Sequence, residues 1–347
     1  MDSRAKLRRQ ALSLQAQAFR EGSSNQTAWS AMEAEEILSD LHRLRRLPES
    51  KNSIEELYLR FLARCRLLVI DKYHINGFIG AGSCGAVFRA FHLSQPKAQI
   101  ALKILFFPRN NDEVRRFEKE GDLLHSFNCS HIVRGLSGSR RMPFLPISWY
   151  AMELVDNAQT LDQFAMTSKW SDVLWALALA CEGLEYAHSR LVVHRDLHFE
   201  NIMVLADNSI RILDFGSAHH RFSDATFRPM GWLQTCAPEA FFDPKSVTGQ
   251  ADIFSIGTML YKLVNDSWPF HSASFGELVK KMETCSIGPV NSEWKELNNL
   301  VTLCLSRDPA MRPNAGKLAA DLRTLSEAPK AKSEVIVSND KAVSQHN

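Results

Sequence analysis

Residues 194–201 read HRDLHFEN. Asp196 offers a carboxylate that can take a proton, and Asn201, five residues on, offers a neutral oxygen to a hard cation. His198 stands between them with a side chain that titrates near neutrality. A further carboxylate, Asp214 of ILDFGSA, closes a strand-like run and is followed by a Phe-Gly turn. Asn201 and Asp214 lie thirteen residues apart beside the strand-like runs IMVL and IRIL, so two loops present one oxygen ligand each. Magnesium accepts such sparse protein ligation, because phosphates and waters complete its octahedron.

Two more clusters suit phosphate chemistry. GAGSCGAVF carries Gly80, Gly82, Gly85 and Val87. Glycines at this spacing let the backbone pass close over phosphates and point N–H groups at them. A dinucleotide-binding turn uses similar glycines but needs a helix directly after them. Here Ala86-Val87-Phe88 follow, so the spacing predicts the turn of a hairpin. In IALKIL, Lys103 sits in an alternating apolar strand, where a charge needs a partner. In RRFEKEGDLLHSF, Phe117, Glu120 and Leu124 share one helical face, which turns Glu120 toward the apolar side. A Lys103–Glu120 ion pair accounts for both charges.

These residues need elements to hold them. Residues 1–72 read as helices. Ser53 and Glu56 form a capping-box pattern, and Ile54, Leu57, Phe61, Cys65 and Leu68 recur at helical spacing. Their apolar side covers the following domain or docks a partner. From residue 73 the chain turns to short β-rich runs, and after about residue 160 to amphipathic or apolar helical stretches. The pattern predicts an α+β fold, with a strand-rich small lobe over 73–152 and a helical large lobe over 156–325. Residues 326–347 are polar and unpatterned and read as a disordered tail.

Bulk properties narrow the classes. At 347 residues the chain can bury one large core or two moderate ones. A net charge of +2 argues against a nucleic-acid partner or a membrane surface as its target. No apolar run is long enough to span a bilayer. The arginine-rich start loosely resembles a transit peptide, but a surface helix is the simpler expectation. Seven cysteines, an odd number without C-x-x-C spacing, read as reduced thiols and a cytoplasmic location.

Taken in order, glycine-rich loop, strand lysine, helix glutamate, HRD with its asparagine, DFG and APE resemble the eukaryotic-type protein kinase domain over residues 73–325. The resemblance implies the bilobal kinase fold, ATP and Mg2+ as cofactors, and a protein hydroxyl as substrate, of the serine/threonine type. It implies that Lys103, held by Glu120, meets the α- and β-phosphates, and that Asn201 and Asp214 hold the metal. Asp196 then orients the attacking hydroxyl. It adds Ile79, Val87, Ala101, Met152, Glu153 and Val155 to the ATP-binding set, with Met152 as gatekeeper of the hinge MELV. Asp252 matches the buried aspartate that holds the HRD backbone, and Glu239 with Arg312 the ion pair bracing the large lobe. Arg195 would pair with a phosphate on Ser223 or Thr226 of the activation segment.

Three positions depart from the common form. His198 replaces a lysine that usually reaches the γ-phosphate, Trp232 replaces a threonine near Asp196, and Cys84 sits at the glycine-loop tip. Loss of a charge-assisted bond at His198 would cost about 1–3 kcal/mol, which slows transfer without abolishing it. Other functions fit the same motifs: a pseudokinase scaffold, a tyrosine or dual-specificity kinase, or a small-molecule kinase. The APE, Asp252 and Arg312 set disfavours the last.

Overall fold

Alternation of buried and half-exposed side chains builds the first sheet. A computed structural model describes residues 62, 68–82, 85–106, 108, 110–142, 147–217, 219–220, 234–271, 275–290, 292–333 and 336. In this structure the chain divides into two units, one reaching residue 125 and including 135–154, the other made of 126–134 and 155 onward.

The first unit holds β1 (Val69–Ile70), β2 (Tyr73–Gly82), β3 (Gly85–His92), β4 (Gln95–Phe106), α1 (Asn111–Ser126), β5 (Arg140–Arg141) and β6 (Ile147–Glu153). The strands form one antiparallel sheet in the order β1-β2-β3-β4-β6-β5. In β3, Ala86, Phe88 and Ala90 are buried and their neighbours are not, the period-two signature of a strand with one covered face. The central strand β4 is buried continuously from Ile100 to Leu105, because both of its faces are covered. On one face α1 lays Phe117 beside the ring of Tyr150, with centroids 5.1 Å apart. On the other, Ile75, Phe88, Leu102, Ile104 and Trp149 form a core.

Leu62 is fully buried in that core, and Leu68 packs against it. The stretch before residue 73 therefore contributes to this unit, and the sheet itself starts at Val69, ahead of the expected boundary. Ile54, Leu57, Phe61 and Cys65, the remaining expected apolar face, lie outside the described residues.

The second unit begins with β7 (Gln159–Thr160), α2 (Leu161–Ala165), α3 (Trp170–Ser189) and β8 (Val192–Val193). After these come β9 (Ile202–Val204), β10 (Ile210–Ile212), β11 (His219–His220) and α4 (Pro238–Phe242). It closes with α5 (Gln250–Asn265), α6 (Phe275–Thr284), α7 (Lys295–Cys304), α8 (Ala315–Ser326) and α9 (Pro329–Ser333). α3 and α5 are apolar around most of their circumference, as central helices must be. α8 packs along α3, and α7 along α5. Among the described residues no helix is long and apolar enough to cross a membrane.

Two further expected boundaries differ. Residues 126–134 join the helical unit instead of the strand-rich one, because their backbone extends the sheet there. Ile212 donates to His131 O at 2.8 Å, Val133 donates to Ile212 O at 3.0 Å, and Phe127 meets Tyr186 and Phe215 edge-on. The expected disordered tail is ordered in its first part: α9 follows α8, and Ala331 and Ile336 are buried. Residues 337–347 lie outside the described residues.

Leu62→Ala removes a fully buried side chain from the first unit and should lower unfolding stability by about 2–5 kcal/mol. Denaturant unfolding followed by tryptophan fluorescence checks this, and Trp149 in the same core makes it a local reporter.

Candidate active site

The first unit contributes a glycine hairpin and a buried ion pair. Gly80 faces Val87, Ala81 faces Ala86 and Gly82 faces Gly85 across the β2–β3 ladder. The glycines therefore sit in a hairpin, as expected, and not before a helix. Gly85 has φ +122°, and a Cβ there would lie 2.5 Å from the carbonyl oxygen of Ile104, so this position requires glycine internally. Gly80 and Gly82 have nothing within 4 Å of where a Cβ would stand. Their lack of a side chain leaves open backbone above the hairpin. Residues 83 and 84, with Cys84, are outside the described residues.

The sheet register brings the other expected residues of this unit together. Val87 pairs with Lys103, Lys103 with Tyr150, and Ala101 with Met152. Cross-strand partners share a face, so Val87, Ala101, Lys103 and Met152 line one side of the sheet. Ile79 sits at the bulge between the Phe78 and Gly80 pairings, and Glu153 ends β6 opposite Ile100. The first unit ends at Leu154 and Val155 opens the next stretch of the second. Lys103 Nζ donates to both carboxylate oxygens of Glu120, at 2.8 and 2.9 Å, with both side chains almost fully buried. Glu120 reaches it because Phe117, Glu120, Gly121 and Leu124 form the buried stripe of α1.

The second unit carries the polar loop. β9 and β10 pair as Ile202–Ile212 and Val204–Ile210, and Leu213 donates to Asn201 O at 2.8 Å. That extra rung brings Asn201 and Asp214 out at the same end of the ladder. Asp214 adopts φ +56° and Arg195 φ +68°, left-handed conformations that cost a non-glycine residue energy unless neighbours enforce them. For Arg195 the enforcement comes from Asp252. This aspartate is fully buried in the first turn of α5. Its Oδ1 accepts from the backbone N–H of Arg195 at 2.9 Å. Its Oδ2 accepts from the backbone N–H of His194 at 2.9 Å and from His188 Nε2 at 2.8 Å.

His194 passes the constraint on. Its Nε2 donates to Leu213 O at 2.8 Å and its Nδ1 accepts from the Asp196 N–H at 3.3 Å. A carbonyl only accepts, so the proton sits on Nε2. The ring also meets Phe215 edge-on, 4.6 Å between centroids. One imidazole thus ties the backbone of Asp196 to that preceding Asp214. Sequence reasoning assigned roles to neither His188 nor the His194 ring. Both act through tertiary contacts that no local spacing announces.

Asn201 lies in a single 3-10 turn, Phe199–Asn201, capped by His198. Its Nδ2 donates to Asp196 O at 2.7 Å and contacts His198 Nε2 at 3.0 Å. Oδ1 is thereby turned away as an acceptor. Burial pushes the His198 imidazole below its ordinary pKa, against the opposing pull of Asp196 and Asp214. The imidazole is therefore held toward its neutral form, unlike the lysine it replaces. Asp214 Oδ1 accepts from Gly216 N–H at 3.2 Å, which orients the carboxylate.

Farther along, Arg312 meets Glu239 through two bonds, Nη1 to Oε1 at 2.5 Å and Nη2 to Oε2 at 2.9 Å. It also donates to Ser306 O and Gln250 O and stacks over Phe254. Arg195 reaches Pro244 O at 3.4 Å, while its Nε is buried without a hydrogen bond among the described residues. Ser223, Thr226 and Trp232 lie outside the described residues.

A family model described as protein kinase domain matches residues 73–322. The chain belongs to the protein kinase domain family. Its similar proteins include the serine/threonine-protein kinase Nek6 of Oryza sativa subsp. japonica, 26% identical over 258 residues, covering 72% of this chain and 47% of the relative. Serine/threonine-protein kinase A of Synechocystis is 28% identical over 281 residues, covering 73% and 53%. Serine/threonine-protein kinase PknB of Mycobacterium tuberculosis is 28% identical over 213 residues, covering 58% and 33%. The chain thus spans about half or less of the length of these relatives.

Asp252 generates a pH prediction. Burial favours the neutral acid, but the bonds from His188, the nearby His194 and the Arg195 N–H outweigh it and hold the carboxyl below the usual carboxylate range. A depressed folded-state pKa adds stability above the unfolded value, near ~3.9, that fades as pH falls through the folded one. Asp252→Asn should cost about 3 kcal/mol at neutral pH. The gap between variant and wild type should shrink below about pH 4. Urea unfolding across pH 3–7 measures both.

Proposed function

We propose that this chain is an ATP- and Mg2+-dependent protein kinase that phosphorylates serine or threonine hydroxyls of protein substrates. The observation that carries the proposal is the loop of the second unit. It is fastened by the buried Asp252, carries Asp196, and engages the Asn201 amide through its nitrogen, at the end of the ladder where Asp214 follows. An amide oxygen and a carboxylate are the donor set that magnesium accepts, so the residues present fit the ion. The similar serine/threonine-protein kinases support the serine/threonine class.

The roles follow from the chemistry of each group. Asn201 and Asp214 hold the metal; bound Mg2+ neutralises phosphate charge during transfer. Lys103, fixed by Glu120, meets the α- and β-phosphates. The open backbone at Gly80 and Gly82 covers phosphate oxygens, a use for glycine that internal packing of the hairpin does not demand. Ile79, Val87, Ala101, Met152, Glu153 and Val155 surround the adenine. Asp196 orients the substrate hydroxyl and takes its proton as the oxygen bonds to the γ-phosphorus and the bond from that phosphorus to the β-phosphate oxygen breaks, with ADP as the leaving group. Arg195, with a buried donor unengaged among the described residues, accepts a phosphate on Ser223 or Thr226 as the regulatory device. Residues 1–72 serve as a docking element for a partner, and the cytoplasm is the proposed compartment.

Incorporation of label from γ-labelled ATP into casein, followed by phosphoamino-acid analysis, tests the proposal. Wild type should label serine or threonine, and Lys103→Met and Asp196→Asn should each reduce the rate about a hundredfold or more. A wild type that binds Mg-ATP yet labels no faster than either variant would make the chain a pseudokinase. Label on tyrosine would overturn the hydroxyl assignment.

A further inference from the structure

His198 occupies a position where a lysine would project a cation, but its contacts are of another kind. The 3-10 turn places residues three apart nearly above one another, and Asn201 N–H donates to His198 O at 3.0 Å to close it. Their side chains therefore meet: Asn201 Nδ2 lies 3.0 Å from His198 Nε2. The same nitrogen lies 2.7 Å from Asp196 O. A backbone carbonyl only accepts, so this end of the amide is the NH2 group. An amide nitrogen carries two hydrogens and accepts none. One hydrogen goes to Asp196 O, and Nε2 takes the other through its lone pair, which leaves the ring proton on Nδ1.

We infer that His198 is a positioning residue: by accepting the second amide hydrogen of Asn201 it fixes the orientation in which Oδ1 meets the metal. This rests on the phosphoryl-transfer function proposed above. A lysine has three donors and no acceptor, so it cannot perform this task whatever charge it brings. His198 thus exchanges a contact with the substrate's phosphate for an outer contact on a metal ligand. Asp196 O and His198 Nε2 together hold both hydrogens of one amide, and a ligand so held cannot flip its oxygen and nitrogen. Groups that hold a metal ligand in this way commonly change metal affinity by tenfold or more when removed.

The acceptor and the charge can be separated by substitution. Gln and Leu at residue 198 are of similar size and both uncharged, but only Gln brings an acceptor oxygen. Mn2+ binding to the full chain saturated with a non-hydrolysable ATP analogue, read by the loss of free-ion electron paramagnetic resonance signal, reports the site without turnover. His198→Leu should weaken Mn2+ about tenfold, and His198→Ala, a smaller truncation in case the Leu variant does not fold, should do the same. His198→Gln should stay within about threefold of wild type, less than the value of one hydrogen bond. His198→Lys should weaken Mn2+ like the Leu variant. The inference is overturned if Leu and Ala bind Mn2+ as wild type does, if Gln is as weak as Leu, or if Lys alone restores full affinity. Each of those results leaves the kinase proposal standing. A wild type that binds no Mn2+ with the nucleotide would instead sink both.

Discussion

Asp252 is wholly buried, and its two oxygens take three N–H groups, from His188, His194 and Arg195. An ionised carboxylate removed from water costs several kcal/mol unless its lone pairs are filled. The loop over 194–196 therefore cannot drift without stranding that charge. This is why Arg195 can be kept at φ +68°. From there the constraint passes through the His194 ring to Leu213 O, and through Asp196 O to the amide of Asn201. The positions of Asp196, Asn201 and the start of the Asp214 turn all descend from one carboxylate in the first turn of α5.

The strand-rich unit uses the same physics with a different pair. Lys103 and Glu120 are both nearly dry and meet in a buried ion pair. The two bonds between them fix where α1 lies along β4, since Phe117 and Leu124 must bury on the same stripe. In each unit a buried charge is held by specific partners, Glu120 for Lys103 and three N–H groups for Asp252. Breaking either pair leaves a buried charge uncompensated, a penalty that exceeds the net stabilisation of the intact pair.

Much of this was legible in the sequence, for physical reasons. Gly80, Gly82 and Gly85 followed by β-type residues specify a hairpin, and the ladder places them there. The helical period that put Glu120 beside Phe117 and Leu124 is the stripe that α1 buries. Other features were not legible because they depend on contacts far apart in the chain. Residues 126–134 look like a loop after a helix, yet their backbone bonds at Ile212 assign them to the helical unit. His188 carries no motif; it matters because the end of α3 meets the start of α5. In the sequence His198 stands where a lysine would meet the phosphate, and in the fold its Nε2 lies against Asn201. Composition marked 326–347 as a tail, but Ala331 and Ile336 bury enough apolar surface to order its first part.

Asp252 holds the loop that carries Asp196 and Asn201, and the proposed transfer chemistry depends on that hold. The most direct test is the rate of phosphoryl transfer by Asp252→Asn at saturating ATP, Mg2+ and protein substrate, in protein that still unfolds cooperatively. Misplacing a reacting group by about an ångström costs on the order of a hundredfold in rate, so the variant should fall by about that much. A variant that transfers phosphate within about twofold of wild type, a free-energy difference of roughly 0.4 kcal/mol, would contradict the account.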